Sequence, residues 1–220
     1  VGNGINITWK NTQLNLRPDG SIWIPEWSTW VLSDVHFGKI THFRKHGISL
    51  PSKAMHANRQ RIEKGMKLMN PGRVIFTGDL FHSTANSEMS IVRELIRDYP
   101  KTEFILTAGN HDRFTTHEIE KLGIEVVETY TIESCRFEHE KSEFSGSVSG
   151  HIHPVVMLSG KGRQKLRLKS FIVHSDYIVL PAFGSFTGGH PYELSTDEHA
   201  YLLGENHVFA HPANPSVSDS

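Results

Sequence analysis

Three short apolar runs, Trp30-Val31-Leu32, Val74-Ile75-Phe76 and Phe104-Ile105-Leu106, each give way within a few residues to Asp, Gly or Asn. Unbroken apolar runs of this length, closed by turn formers, predict strands buried on both faces. Before the first of them, Ile5–Trp9, 14–16 and Ile22–Ile24 read as short strands, with Arg17-Pro18-Asp19-Gly20 turning between the last two. The tryptophans of these strands are expected to cap the sheet. Between the runs the period lengthens to that of a helix. Ser52 is an N-cap for a helix over 52–69, with Ala54, Met55, Ile62, Met66 and Met69 on its apolar face and Pro71-Gly72 closing it. Its methionines read as core filling rather than a cofactor groove. A second helix is predicted over 87–99, ending before Pro100 and burying Met89, Val92, Leu95 and Ile96. A third fits 116–122, with Gly123 as its stop. From Ile124 onward the pattern is one of short strands, including 131–137, 171–173 and 177–180. With helices in the first half and strands in the second, the expectation is two facing mixed sheets with helices outside.

Length and composition add one domain. At 220 residues the chain buries roughly 70% of the surface its unfolded form would expose, so no covalent staples are needed. Residues 1–210 are expected to form the domain and 211–220, rich in Pro, Ser and Asn, a mobile tail. Cys135 is the only cysteine, which excludes an internal disulfide and agrees with a reducing cytosol; its ordinary reading is a small residue on the 131–137 strand. Val1-Gly2-Asn3-Gly4 carries neither a basic segment nor an apolar run, and no apolar stretch reaches the ~20 residues of a membrane helix. A cytoplasmic protein is expected.

Chemistry enters through seven potential ligands in five motifs: Asp34-Val35-His36, Gly78-Asp79, Gly109-Asn110-His111-Asp112, the isolated His139, and Gly150-His151-Ile152-His153. Singly, each is an ordinary turn or an accident of composition. Together, three of the sets sit just past the carboxyl ends of the predicted buried strands, where open α/β sheets place their ligands. Carboxylate, amide and imidazole donors are too oxygen-rich for a closed structural zinc site and too histidine-rich for a magnesium or calcium cage, leaving manganese, iron or zinc. Two such cations about 3.5–4 Å apart can hold a hydroxide between them and grip phosphate oxygens, which points to a two-metal phosphoesterase.

In that order, D-x-H, G-D, G-N-H-D, lone His and G-H-x-H, the chain resembles the calcineurin-like metallophosphoesterases. More narrowly it is similar to the ligase-associated DNA damage response endonuclease branch, through residues 33–39, His42-Phe43-Arg44, 78–83, 150–154 and 180–189. The resemblance implies an α/β fold of two facing mixed β-sheets flanked by helices. It implies that Asp34, His36 and His153 hold one metal, most readily manganese, that Asn110, His139 and His151 hold the other, and that Asp79 bridges. His111 would lie beside the metals, donating a proton to the leaving oxygen or stabilising charge on the transferring group. It further implies a binuclear phosphodiesterase, a nuclease acting on DNA in repair beside a DNA ligase, a helicase and an exonuclease. Two departures stand out. Where the wider family has G-D-x-x-D-R, this chain has His82 and Ser83. Orientation of His111 then passes to Asp112 or Asp34, and phosphate contact to His82, Arg44 or Arg113. Lys141 stands where the branch has proline.

A formal charge of −1 and a pI near 7.0 give no global attraction to nucleic acid, so contact must be local. In 161–169 every second residue is basic: Lys161, Arg163, Lys165, Arg167 and Lys169. As a strand, at ~3.3 Å per residue, these cations would line about 26 Å of one face while Leu166 and Leu168 turn to the core. The row suits sequence-independent phosphate contact, or equally an edge strand charged against aggregation. Lys39, Arg44 and Lys45 follow the first motif closely enough to line a cleft. The Gly184–Gly189 stretch lacks a P-loop lysine and reads as a turn, and His42, His46, His56, His117, His174, His190, His199 and His207 match no ligand position. A small-nucleotide phosphoesterase and a non-catalytic scaffold built on the metal site remain as other readings.

Overall fold

A computed structural model describes residues 4–40, 56–82, 86–112, 115–159 and 164–211. The predicted early strands are present as β1 (Ile5–Trp9), β2 (Thr12–Leu16), β3 (Ile22–Ile24) and β4 (Thr29–Leu32), and the later apolar runs as β5 (Arg73–Phe76) and β6 (Glu103–Thr107). With β7 (Glu125–Val127) they form a seven-stranded sheet in chain order, antiparallel up to β4 and parallel from β4 to β7. Parallel neighbours require crossovers, which helices α1 (Ala57–Met69), α2 (Asn86–Asp98) and α3 (Thr116–Glu120) make or accompany.

The second sheet holds β8 (Thr129–Ile132), β9 (Cys135–Glu138), β10 (Ser147–Ser149), β11 (Pro154–Ser159), β12 (Lys165–Val173), β13 (Tyr177–Val179), β14 (His190–Pro191), β15 (His199–Leu203) and β16 (Val208–Ala210). Its order is β14-β11-β12-β13-β10-β9-β8, with β15 on β12 and β16 on β15; β9, β10 and β13 run parallel. This is the expected sandwich of two mixed sheets.

Period-two alternation divides each strand between two layers. Val31, Ile75 and Ile105 point inward and meet Phe137, Val148, Phe171 and Ile178 of the second sheet. Their neighbours Trp30, Leu32, Phe76 and Leu106 face outward onto Ile62, Met66, Val92, Leu95 and Ile119 of the helices. Among the described residues the helices cover only the first sheet. The outer face of the second packs Val156, Ile172, Val179, Ala200 and Leu202 under Tyr192 and Leu194 instead.

Several expectations change. Residues 131–137 are not one strand, because Glu133 takes a left-handed conformation (φ 50°) and folds them into the β8–β9 hairpin. Cys135 is buried there, as an ordinary small residue. Trp9 does not cap the sheet; it is 5% exposed in the inter-sheet core, its indole N–H donating to the His174 carbonyl at 2.7 Å. The 87–99 helix starts at Asn86 and ends at Asp98, and the 116–122 helix ends at Glu120. Helix α1 ends where Asn70 turns left-handed. The expected cap Ser52 and apolar residues Ala54 and Met55, like the 212–220 part of the tail, lie outside the described residues.

Helix α1 crosses the first sheet at Gly65. A Cβ there would stand 2.3 Å from the Trp30 ring, which is fully buried and has no room to yield. Alanine in place of a helix-interior glycine ordinarily stabilises by ~1 kcal/mol, but overpacking costs about 1–3 kcal/mol. Gly65→Ala should therefore destabilise the protein, read as a lowered urea midpoint at unchanged slope.

Candidate metal centre

The expected ligands converge at the carboxyl ends of the parallel strands. Asp34 and His36 follow β4, Asp79 follows β5, Asn110 and His111 follow β6, His139 follows β9, and His151 and His153 lie between β10 and β11. Five of these residues have left-handed backbone: Asp34 (φ 51°), His36 (50°), Asp79 (46°), His151 (64°) and His153 (51°). Such conformations cost about 1–3 kcal/mol each and persist where surrounding structure imposes them. Gly78 (φ 82°) shows how tight the packing is, since a Cβ there would lie 1.8 Å from His139 Nδ1.

Ligand atoms of Asp34, His36 and His153 fall within 4.8 Å of one another, as do those of Asp34, Asp79 and His139, and those of His139, Glu140 and His151. His153 Nε2 stands 3.0 Å from Asp34 Oδ1, and His139 Nε2 stands 2.9 Å from His151 Nδ1. Asp79 lies between the groups. Its Oδ2 is 3.9 Å from His36 Nε2, and its Oδ1 is 3.8 Å from His139 Nε2. Glu140 is the member the sequence reading missed; its adjacency to His139 was the available signal.

The donors suit divalent cations. Asp34 Oδ1 and His153 Nε2 are buried without a hydrogen-bond partner among the described residues, a costly condition that an ion between them would relieve. Asp34 Oδ1 and His153 Nε2 thus face one another at 3.0 Å as two donor atoms open to a cation. Burial would raise the Asp34 pKa, but His153, the Ser33 hydroxyl and nearby His139 hold it below the ordinary value. Burial lowers the His36 pKa to about 3, leaving the neutral imidazole that a metal ligand must be. His139 Nδ1 lies 3.3 Å from the Thr77 carbonyl, so a proton donated there frees Nε2.

A family model for calcineurin-like phosphoesterases matches residues 28–206. The chain belongs to that family. It is thus a metal-dependent phosphoesterase, as the order of its motifs implied. A crystal structure of Pseudomonas putida nuclease MPE is similar, with a TM-score of 0.80 at 26% sequence identity, covering 95% of this chain and 100% of that one. No curated protein matches.

Other expectations are redistributed. His111 is about half exposed, its Nε2 4.0 Å from Asp79 Oδ2 and its ring 5.2 Å from that of His82. Neither carboxylate expected to orient His111 does so. Asp112 is buried and accepts from the amides of Gly109, Leu80 and Phe81 at 3.1–3.4 Å, joining the loops after β5 and β6. Burial pushes its carboxyl up to about 6 against those three donors. Asp34 is occupied by Ser33, His153 and the His151 amide. Lys141 lies 3.9 Å above the Tyr177 ring. Arg44, Arg113, Lys161 and Arg163 lie outside the described residues.

The basic row is the main correction. Leu166 does not reach the core but is 55% exposed. Arg167 donates to the Gly189 carbonyl at 2.9 Å, and Lys169 donates to those of Ala182 and Gly184 at 2.7 and 2.9 Å. Lys165 remains exposed at the start of β12. The face expected to meet phosphate instead holds the 182–189 loop. From α1, Arg61 grips the same loop at the Phe183 carbonyl and stacks on the Phe183 ring. The loop in turn donates from Phe183 and Gly184 to the Ser33 and Asp34 carbonyls at 2.8 and 3.1 Å. Two half-buried cations thereby hold the loop that hydrogen-bonds the Asp34 backbone.

Burial, with Arg61 nearby, lowers the Lys169 pKa to about 8 from 10.5. Since the folded value is the lower one, the resulting stability is full above the unfolded value and is lost as pH falls through about 8. Wild-type protein should gain about 2 kcal/mol over Lys169→Met between pH 7 and 10, measured as the difference in their urea unfolding energies.

Proposed function

We propose that this phosphoesterase is a binuclear phosphodiesterase acting on nucleic acid, DNA foremost, and serving as a nuclease in repair. The observation that carries the two-metal reading is Asp79, whose two oxygens address separate imidazoles, His36 and His139, at 3.9 and 3.8 Å. A bridging carboxylate needs that division. Asp34, His36 and His153 would hold one ion; Asn110, His139 and His151 would hold the other. Two bound divalent ions supply Lewis acidity and acidify water towards neutrality. The imidazoles ligate without adding negative charge that would repel phosphate.

His111 is the group for the leaving oxygen, half exposed at the mouth of the site beside Asp79. His82, in place of the second acid of the wider family's motif, brings a second ring beside His111. The nucleic-acid reading is supported by the similar Pseudomonas putida protein, itself described as a nuclease. A place beside a DNA ligase, a helicase and an exonuclease rests on the motif resemblance.

The test is hydrolysis by chelator-treated protein of single-stranded DNA, duplex DNA, RNA, cyclic nucleotides and phosphomonoesters, each with manganese, iron, zinc or magnesium. Diesters should be cut in preference to monoesters, fastest with manganese. Asp79→Asn should lose more than the roughly 10–100-fold that removal of an outer metal-site partner costs, with its unfolding transition retained. Preference for monoesters or cyclic nucleotides would favour a small-nucleotide enzyme, and absence of turnover with every metal would favour a scaffold.

A further inference from the structure

An open groove of about 520 Å³ shares His151 and His153 with the metal centre and is otherwise lined chiefly by Lys39, Gly188, Gly189 and His190. Resting on the nucleic-acid reading above, we propose that this groove holds the polynucleotide strand flanking the scissile phosphate, with Lys39 taking a neighbouring phosphate.

Three observations support it. First, the groove runs into the candidate ligands, so a strand lying in it reaches the reacting phosphate without a turn. Second, Lys39 is placed rather than loose. Its amide donates to the His36 carbonyl at 3.2 Å, and the residue lines the groove together with His151 and His153. Third, the far wall is bare of side chains where a sugar-phosphate chain would pass. Gly188 has nothing within 4 Å of where its Cβ would stand. Gly189 and His190 form the adjoining backbone, which is held by Arg167 and by the His190 amide on the His153 carbonyl at 2.9 Å.

Charge placement favours the same groove. Arg167 and Lys169 of the alternating row are engaged with backbone carbonyls. Among the described residues, Lys39 is the Lys or Arg that lines the groove beside the candidate ligands. His190, which matched no metal motif, adds a second nitrogen donor at the outer end of the groove.

The bare wall supplies a clean test. A Cβ at position 188 would meet no atom within 4 Å, so Gly188→Phe should obstruct the groove, and thermal unfolding checks that the fold is retained. For the full manganese-loaded protein, the ratio of kcat/KM on a labelled oligonucleotide to kcat/KM on bis-p-nitrophenyl phosphate should fall at least about 10-fold in Gly188→Phe, the size of one lost phosphate contact or more. Lys39→Met should lower the same ratio, mainly through KM. It should also reduce the salt dependence of oligonucleotide affinity, read by fluorescence anisotropy with chelator-treated protein, by about 0.7 in log–log slope.

Equal losses on both substrates would overturn the proposal, because Lys39 and Gly188 would then serve the reacting phosphate alone. An unchanged ratio in both variants would overturn it as well. Wild-type protein that hydrolyses the small diester but no polynucleotide would defeat the nucleic-acid reading itself, and the groove's occupant with it. Wild-type cleavage of DNA with insensitive variants would defeat only the groove.

Discussion

Two carboxylates, Asp34 and Asp79, are buried within reach of the same imidazole where the two sheets meet. Like charges so placed are tolerable only if cations or donors answer each oxygen. Asp34 Oδ2 is answered from both sheets, by the Ser33 hydroxyl at the end of β4 and the His151 amide beyond β10, while its Oδ1 faces the His153 ring without a hydrogen bond. Asp79 receives the His111 amide at 3.1 Å and stands near three imidazoles without hydrogen-bonding them. What remains unanswered on the protein side is what divalent ions supply.

This requirement explains features that would otherwise weaken a fold. Five left-handed non-glycine residues at strand ends are a standing cost. They are repaid in geometry, since each reverses the chain at once and brings its side chain back over the sheet edge. The surrounding elements hold them there. Asp112 joins the loops after β5 and β6 through three amides. Arg61 and Lys169 grip the 182–189 loop, which hydrogen-bonds the Ser33 and Asp34 carbonyls. Lys169, which the sequence presented as part of a charged surface, is here a support for that loop.

Sequence reading reached the strands, the approximate helices and six residues that the structure clusters, Asp34, His36, Asp79, His139, His151 and His153, because each is a short-range pattern. Apolar runs closed by Asp, Gly or Asn state both that a strand is buried and that a polar group stands at its end. The reading failed where a side chain's meaning depends on which face the sheet turns to its neighbours. Alternation placed Lys165, Arg167 and Lys169 together correctly, yet could not say that the 182–189 loop lies on that face or that Leu166 stays in solvent. Asp112 illustrates the same gap. A carboxylate beside His111 in sequence spends its oxygens on the backbone of another loop.

The sequence by itself determined which residues can ligate, that they follow strands, and that helices precede a strand-rich half. These follow from residue chemistry and from periodicity within a dozen positions. Only the tertiary structure decided that the edges of two separate sheets coincide, that Asp79 faces imidazoles from both, and that Lys39 and Gly188 border an open groove beside them. Contacts between positions more than a hundred residues apart, such as Asp34 with His151, are set by the packing of one apolar layer between sheets. Local patterns carry no record of that register.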